Sequence, residues 1–414
     1  MKLKIQLFVI FLFSIIFYVS FAQPLTLEDC ISLAKQNNLQ LQQAKMDIDQ
    51  TRTSLTDANS SYYPNIGFST NYRYGGSASV DASGNFSTGI NAQYTLFKGG
   101  SIRAGSKISK TRIKIAEETY RQKENEIILS VKQVFFKILQ TQEQITLINS
   151  ILKRRNENLT LIKLNYNVGR ENEPNVKQTE VSLNQTEYDY MRAEQSLALA
   201  KLSLNQLLDR PGEEISIQYE DKTVELPALD SLTKEANNER PEIISQKANR
   251  DVLAEQKTQA ISNYLPSLSV SSSYGLFGDN FLEQKGNWST GIGLSLPIFN
   301  GFSSQAKVKQ ATISLKQNDL KIQDLTNSIE SEVKQSYSDL ALANKNLEVS
   351  NKTLEAAQDA YQLTKLQYEQ GRTSYFFLQQ KESDLTQAEN GNVNALYNLR
   401  TSVAALEKSI GRSN

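Results

Sequence analysis

Two stretches in each half of the chain alternate large or apolar residues with small or polar ones, as half-buried β-strands do. In the first half, the apolar side chains occupy even positions over Ile66–Tyr74 and again over Phe86–Leu96, on either side of a predicted loop at Gly75–Asn85. The second half repeats the same alternation. The pattern predicts four strands, at about residues 65–75, 86–97, 266–276 and 288–299.

The composition of the two strand faces favours a membrane. Each predicted strand has about ten residues, which fits one bilayer crossing by a tilted β-strand. The polar face is made of Ser, Gly, Asn and Gln with almost no charge, and the other face is aromatic and aliphatic. A soluble hairpin on a core would also alternate, so alternation alone leaves both readings open. The aromatic residues predicted to form a girdle at the membrane interface are Tyr62, Tyr63, Phe97, Tyr264, Trp288, Phe299 and Phe302.

Four strands are too few to close a barrel, because single-chain membrane barrels have about eight or more. Open sheet edges are not tolerated in lipid. Other copies of the chain must therefore complete the sheet. Two copies would supply eight strands and three copies twelve, and the strand pattern does not choose between them.

The remaining chain predicts very long helices. Residues 101–167 contain no proline and place apolar residues at heptad spacing, which predicts coiled-coil packing along a helix of about 100 Å. Residues 303–370 show matching apolar positions and predict an equivalent long helix. Shorter return helices are predicted at 173–208 and 374–410, helical pieces at 25–60 and 229–262, and a short strand near Ile215–Tyr219 within a linker at 213–228.

These elements occur twice, at a constant offset of 202 residues. Pro64 pairs with Pro266 and Gly169 with Gly371, without a gap between them. The period is far longer than that of a solenoid or a propeller. The sequence therefore predicts a duplicated chain whose halves span about 23–212 and 229–414, each reading helix, hairpin, long helix and return helix.

The N-terminus reads as a secretory signal peptide at residues 1–22. Lys2 and Lys4 precede an apolar run that ends at small residues, and the run is short for a membrane anchor helix, which is the alternative. The signal peptide removes two of the 45 basic residues, which leaves a net charge of about −2. No basic excess points to nucleic acid.

Composition also limits the chemistry. The chain has no His and one Cys, which excludes Ser-His-Asp and Cys-His catalysis, His-containing zinc sites and internal disulfides. Its acidic residues are scattered among Lys, Gln and Asn along helix faces, as on solvated surfaces. We therefore expect neither an enzyme nor a cofactor or metal.

Three short motifs occur in the same order in both halves. They are Tyr63-Pro64 and Leu265-Pro266 at the strand entries, 96–100 and 298–302 at the strand exits, and 166–169 and 368–371 at the helix hairpins. In their order and duplication these motifs resemble the TolC-like outer-membrane efflux protein family over the whole mature length. The resemblance implies a trimer with a twelve-stranded outer-membrane β-barrel and a twelve-helix periplasmic tunnel. It also implies a periplasmic adaptor and an inner-membrane pump of the RND or ABC class as partners.

The two hairpins have a plain explanation and a functional one. Gly169 and Gly371 suit a left-handed position that ends a helix, which by itself explains a glycine there. The resemblance implies in addition that the hairpin ends dock the adaptor. The predicted docking residues are Val168, Gly169, Arg170, Gln370, Gly371 and Arg372.

One departure from the family concerns the pore. Its best-known member has aspartates six and nine residues after the second hairpin glycine, where this chain has Phe377 and Gln380. The equivalent residues of the first half are Asn175 and Gln178. We therefore predict a constriction formed by these four residues without an acidic ring, and only weak block by divalent cations.

The sequence thus favours a passive exit duct for small molecules or proteins across the outer membrane of a Gram-negative bacterium. The main alternative is a structural or adhesive coiled-coil protein of the cell surface without transport activity.

Overall fold

The computed structural model describes residues 24–77, 80–220, 228–279 and 285–412. The predicted signal peptide at residues 1–22 lies outside the described residues, as do residues 221–227 of the predicted linker. In chain order the described elements are α1 (Leu27–Asn37), α2 (Leu39–Ser60), β1 (Asn65–Ser77), β2 (Val80–Lys98), α3 (Ser101–Asn167), α4 (Glu173–Leu208), α5 (Leu229–Glu239), α6 (Pro241–Ser262), β3 (Ser267–Gly278), β4 (Lys285–Ser295), α7 (Ser303–Glu369) and α8 (Tyr375–Ser409).

The chain divides into two compact units, and each unit takes segments from both halves of the repeat. The strand unit comprises residues 42–123 and 237–330. The tip unit comprises the described residues of three segments, 24–41, 124–236 and 331–412. Among the described residues, no helix is both long and apolar enough to cross a membrane.

The strand unit contains one antiparallel sheet in the order β1-β2-β3-β4. Its two faces differ because neighbouring residues of a strand point to opposite sides. One row across all four strands is aromatic and aliphatic, and the adjacent row on the other face is small and polar. The first row is Phe68, Ile90, Tyr274 and Trp288, and the second is Gly67, Asn91, Ser273 and Ser289.

Two predicted strand boundaries are wrong. The predicted loop at Gly75–Asn85 is largely hairpin, since Tyr74 pairs with Gly84 and Ser77 with Val80. Its small and polar residues suggested a loop, but main-chain hydrogen bonds can join strands without apolar side chains. The strand predicted at 288–299 runs over Lys285–Ser295 instead. Pro297 has no N–H to continue the ladder. In addition, β3 begins only at Ser267, which pairs with Ser295, so the residues after Ser295 have no partner in β3.

The helical pieces predicted at 25–60 and 229–262 are each broken in two. Asn38 ends α1 and caps α2, because its side-chain oxygen accepts hydrogen bonds from the main-chain N–H groups of Gln40 and Leu41. Its amide donates to the carbonyl of Leu207 at 3.0 Å. Arg240 is extended because it precedes Pro241, and residues before proline avoid the α region.

The long helices α3 and α7 have 67 residues each, and both begin after a left-handed turn. Gly99 has a φ of 56°, and a Cβ there would lie 2.7 Å from the carbonyl oxygen of Ser262. Glycine is therefore required both for its conformation and for the space. In the second half, Gly301 and Phe302 have φ values of 64° and 65°.

The tip unit is held by buried apolar residues along the helices. Near the hairpins these include Ile162, Val176, Leu378 and Leu385. The predicted short strand near Ile215–Tyr219 is reduced to one parallel bridge between Ile217 and Leu25.

Candidate functional site

Both hairpin ends in the tip unit form the same turn. The N–H of Gly169 donates to the carbonyl of Tyr166 at 2.9 Å, and that of Arg170 to Asn165 at 2.8 Å. In the second repeat, Gly371 donates to Tyr368 at 2.9 Å and Arg372 to Gln367 at 2.8 Å. This pair of bonds defines the Schellman motif, in which a left-handed residue satisfies the last carbonyls of a helix.

The two turns require glycine because of its backbone conformation and not because neighbouring atoms leave no room for a side chain. Gly169 and Gly371 have φ values of 73° and 71°, and a Cβ at either would have no atom within 4 Å. All six predicted docking residues are exposed, and Val168 is 67% exposed. The side chains of Arg170 and Arg372 make no ion pair among the described residues. Both turns therefore expose an apolar or polar residue, and a guanidinium that has no ion pair in the described part of the chain.

Beneath the turns, a row of buried tyrosines joins the helices of the two repeats. The amide of Asn165 on α3 donates to the hydroxyl of Tyr368 on α7 at 3.3 Å, and that hydroxyl donates to Glu171 at 3.0 Å. One heptad away, the amide of Asn158 donates to the Tyr361 hydroxyl at 3.3 Å. These bonds fix α3 and α7 side by side at the hairpin end.

A third tyrosine extends the row to α8, and all three tyrosines keep their protons. The hydroxyl of Tyr375 on α8 lies 2.6 Å from that of Thr179 on α4. Burial raises the pKa of Tyr368 to about 12, against a smaller lowering by the bond from Asn165. Burial likewise raises the pKa of Tyr361 and Tyr375. All three hydroxyls are therefore neutral at physiological pH.

Two arginines of α3 bind acidic residues of α8. Arg154 makes a bidentate pair with Glu389, at 2.8 and 2.9 Å. Arg155 lies 3.5 Å from Glu382 and donates to Thr186 and the carbonyl of Ser182 on α4. These ion pairs are largely shielded from solvent, so removing one partner would leave a poorly compensated charge away from water.

The side chains of the predicted constriction are arranged as two separate pairs. On α4, Asn175 donates to Glu171 at 2.6 Å, whereas Gln178 is exposed. On α8, Phe377 is 56% exposed and packs edge-to-face on Phe376, with the ring centres 5.8 Å apart. Among the described residues, no hydrogen bond joins the α4 pair to the α8 pair.

An acidic residue that the sequence reasoning missed lies next to this pair. Gln380 donates to Asp384 at 2.8 Å, one turn further along α8. Hydrogen bonds from Lys381 and from Gln380 lower the pKa of Asp384, so its carboxylate stays charged. This side of α8 therefore carries the apolar Phe377, the polar Gln380 and the charged Asp384, which Lys381 compensates.

The predicted interfacial aromatics belong to the strand unit, and all of them are exposed. Trp288 stands apart, since it lies within the sheet beside Tyr274. The other six lie where the helices and the sheet meet along the chain: Tyr62, Tyr63, Phe97, Tyr264, Phe299 and Phe302, with exposures from 44% to 75%.

Sequence reasoning also missed the polar contacts of Arg154, Arg155 and Asn158. A signal for them exists in the repeat. Their counterparts in α7, 202 residues later, are Ala356, Ala357 and Ala360. Long polar residues in one helix and alanine in its counterpart indicate contacts that only one repeat makes.

Comparison with known proteins gives a consistent result. A family model described as "outer membrane efflux protein" matches residues 30–210 and 232–412, one match in each half. Outer membrane protein TolC of Escherichia coli K12 is 22% identical over 423 residues, covering 96% of this chain and 84% of that protein. TolC of Salmonella enteritidis is 23% identical over 329 residues, covering 74% of this chain and 66% of that protein.

The fold is also found among solved structures. A crystal structure of CusC matches with a TM-score of 0.85 at 20% identity, covering 93% of this chain and 92% of that chain. At this identity the match shows a shared fold.

Proposed function

Because this chain belongs to the outer membrane efflux protein family, we propose that three copies of it form a passive exit duct across the outer membrane. Membership places the chain among TolC-like channels of the outer membrane of Gram-negative bacteria, which have a large periplasmic part. Its relatives are channel proteins rather than enzymes, consistent with a chain that catalyses no reaction. The duct would let small molecules or proteins leave, with energy supplied by a partner pump.

The observation that carries this proposal is the four-stranded sheet. Its apolar face is exposed, with Phe68 at 70% and Trp288 at 74% exposure, and its other face is small, polar and uncharged at its centre. Within the described residues, β1 pairs only with β2, and β4 only with β3. Lipid tolerates the apolar face but not the two open edges. Three copies would close them into a barrel of twelve strands around a polar lumen.

Exposed apolar residues on the helices support the same assembly. Leu342, Val349, Ala356 and Leu363 follow one another at seven-residue intervals on α7, and all are exposed. On α4, Val181 and Tyr188 show the same spacing and are 60% and 55% exposed. Heptad spacing suits helix-to-helix contact. We propose that these stripes contact neighbouring copies and build a periplasmic tunnel of twelve helices.

The hairpin ends suit the docking of a periplasmic adaptor that connects to an RND or ABC pump. Val168 offers an apolar contact. Arg170 and Arg372 each offer a guanidinium that has no ion pair within the described residues and is suited to bidentate binding of a carboxylate. The proposed docking surface comprises these residues with Gly169, Gln370 and Gly371.

The proposed constriction lies beside the docking surface along the chain. Phe377 projects an exposed ring, and Gln178 and Gln380 offer neutral polar groups. Asp384 is compensated by Lys381 at 2.9 Å. Divalent cations therefore meet no free acidic ring in this part of α8, and we propose that the constriction acts by size and polarity.

The proposal is tested with the mature protein purified in detergent and inserted into a planar phosphatidylcholine bilayer. We expect native mass spectrometry to give a trimer and single-channel recording to give stable ion conductance with weak block by Mg²⁺. Phe377→Ala should raise the conductance. Strong divalent block would contradict the proposed constriction, and a non-conducting protein would support the structural or adhesive alternative.

A further inference from the structure

The first sixteen residues of both long helices carry basic residues and no acidic ones. This holds for residues 101–116 of α3 and residues 303–318 of α7, which are equivalent positions of the repeat. The first acids after them, Glu117 and Asp319, are also equivalent, 202 residues apart. We name these eight basic residues the basic collar: Arg103, Lys107, Lys110, Arg112, Lys114, Lys307, Lys309 and Lys316.

The basic collar is exposed and almost free of ion pairs. Lys107 binds Glu255 of α6 at 2.8 Å, and the other seven side chains have no ion pair among the described residues. One further acid, Asp57, lies near the end of α2, beside α3, where Asn59 accepts a hydrogen bond from Ser106. Seven of the eight cations therefore have no ion-pair partner in the described part of the chain, which leaves a local excess of positive charge.

This excess differs from the charge pattern elsewhere on the same helices. The whole chain has 45 basic and 45 acidic residues. In the tip unit, α7 mixes both signs, and Glu348 binds Lys345 and Lys352 at 2.7 and 2.8 Å. An ordinary solvated helix surface shows such a mixture of both charge signs. The collar is therefore not explained by helix solubility alone.

The positions of the cations relative to the sheet point to a membrane surface. Helix α3 begins three residues after β2, and at 1.5 Å per residue Arg103 and Lys110 lie about 3 and 14 Å from its start. The polar headgroup layer on each side of a bilayer is about 6 Å thick. Long basic side chains can reach such a layer from nearby turns.

The exposed aromatic residues next to the collar also point to a membrane surface. Lys309 and Lys316 are seven residues apart, so they lie on one side of α7, and Phe302 directly precedes the helix. Phe302 is 70% exposed and packs edge-to-face on Phe299. On α3, Arg103, Lys107, Lys110 and Lys114 are spaced by four, three and four residues and share one side. Aromatic residues followed by cations are typical of a membrane interface.

We propose that the basic collar, through its members nearest the helix starts, binds the phosphate groups of anionic phospholipids in the periplasmic leaflet of the outer membrane. This inference rests on the proposed function, because it requires the sheet to cross that membrane. Six equivalent helix starts in a trimer would each present cations to the headgroups. Binding would hold the sheet at a fixed depth and would weaken with salt, since the contacts are electrostatic.

The test compares the full mature chain with a variant that carries Arg103→Gln, Lys110→Gln, Lys307→Gln and Lys309→Gln. Each protein is purified in dodecyl maltoside and mixed with dioleoylphosphatidylglycerol or dioleoylphosphatidylcholine. We expect phosphatidylglycerol, relative to phosphatidylcholine, to raise the unfolding temperature of the unsubstituted protein, and about 0.5 M NaCl to remove the increase. The variant should lose most of this increase in unfolding temperature, since each cation near such a surface raises the binding affinity about fivefold.

The control variant removes four exposed cations outside the collar, by Lys45→Gln, Lys153→Gln, Lys234→Gln and Lys247→Gln. It should retain the phosphatidylglycerol effect. Native mass spectrometry of bound phosphatidylglycerol gives a second measurement that does not depend on unfolding. Equal responses of the two variants would overturn the proposal.

Ion selectivity tests the remaining alternative, in which the collar cations line a water-filled path instead of binding lipid. If the collar variant shifts the reversal potential in a salt gradient and keeps its phosphatidylglycerol binding, the cations line the water-filled path and the proposal is wrong. Lipid binding is measured in micelles and does not require conduction. Loss of lipid binding can thus be distinguished from a failure of the duct itself.

Discussion

Glu180 and Glu382 occupy equivalent positions in the two repeats but have different surroundings. Glu180 is partly exposed and binds Lys163 and Lys177 at 3.0 and 3.2 Å, and hydrogen bonds from these lysines lower its pKa. Glu382 is 9% exposed and accepts a hydrogen bond from Asn158 at 2.7 Å, beside Arg155. One residue type therefore forms a surface ion pair in one repeat and a buried link between helices in the other.

We expect Glu382→Gln to destabilise the protein by about 2 kcal/mol, because it leaves Arg155 with less compensation in a shielded site. Glu180→Gln is the matched control and should change stability little, because its ion pairs are exposed to water and salt. The measurement is the denaturant or thermal unfolding midpoint of both variants. Equal effects would show that the buried link does not stabilise the hairpin end.

Tyr368 and its counterpart Tyr166 allow a test of pH dependence. The pKa of Tyr368 is about 12 in the folded state, above its ordinary value of 10.0. Below pH 10 both states keep the proton, and the contribution of the hydroxyl is fully present. Between pH 10 and 12 the unfolded state loses the proton first, so that contribution declines.

Tyr368→Phe should therefore be less stable than the unsubstituted protein at pH 8, because it loses the bonds to Asn165 and Glu171. The difference should shrink as the pH rises above about 10. Tyr166→Phe should change the stability at pH 8 little, since Tyr166 is 43% exposed. Thermal unfolding at a series of pH values measures the stability of both variants. If Tyr368→Phe differs from the unsubstituted protein by the same amount at every pH, the raised pKa of Tyr368 is contradicted.

At the scale of the elements, each hairpin is set by its local sequence. Both turns place glycine at the left-handed position, with the same pair of main-chain bonds. The helix starts that follow differ, since the Asn172 side chain accepts a bond from the N–H of Asn175 but Ser374 makes no side-chain cap. The turn is thus the conserved part of the duplication, and the first turns of α4 and α8 are where the repeats diverge.

We expect Gly371→Ala to cost about 1 kcal/mol by placing a Cβ in the left-handed region, and to reduce adaptor binding while the trimer persists. Gly391→Ala is the control, because Gly391 lies inside α8 and a Cβ there has no atom within 4 Å. Alanine should be neutral or stabilising at that site. Cross-linking to the adaptor measures the effect, and equal adaptor binding by both variants would argue against docking at this turn.

At the scale of the whole molecule, neither half of the repeat forms a unit by itself. The strand unit and the tip unit each combine segments from both halves. The sheet is continuous across the duplication, because β2 of the first half pairs with β3 of the second. Its two outer edges have no partner strand within the described residues of one chain, so the proposed duct is a property of the assembly and not of the single chain.

The sequence by itself determined the features that depend on neighbours along the chain. Alternation identified the four strands, heptads identified the long helices, and glycine marked the hairpin turns, since each pattern reflects a local backbone preference. The tertiary structure alone decided the pairing of β2 with β3, the break at Asn38, which binds Leu207, and the burial of Glu382 but not Glu180. These features depend on contacts between residues far apart in the chain, and a local pattern contains no information about which distant groups will satisfy a polar side chain.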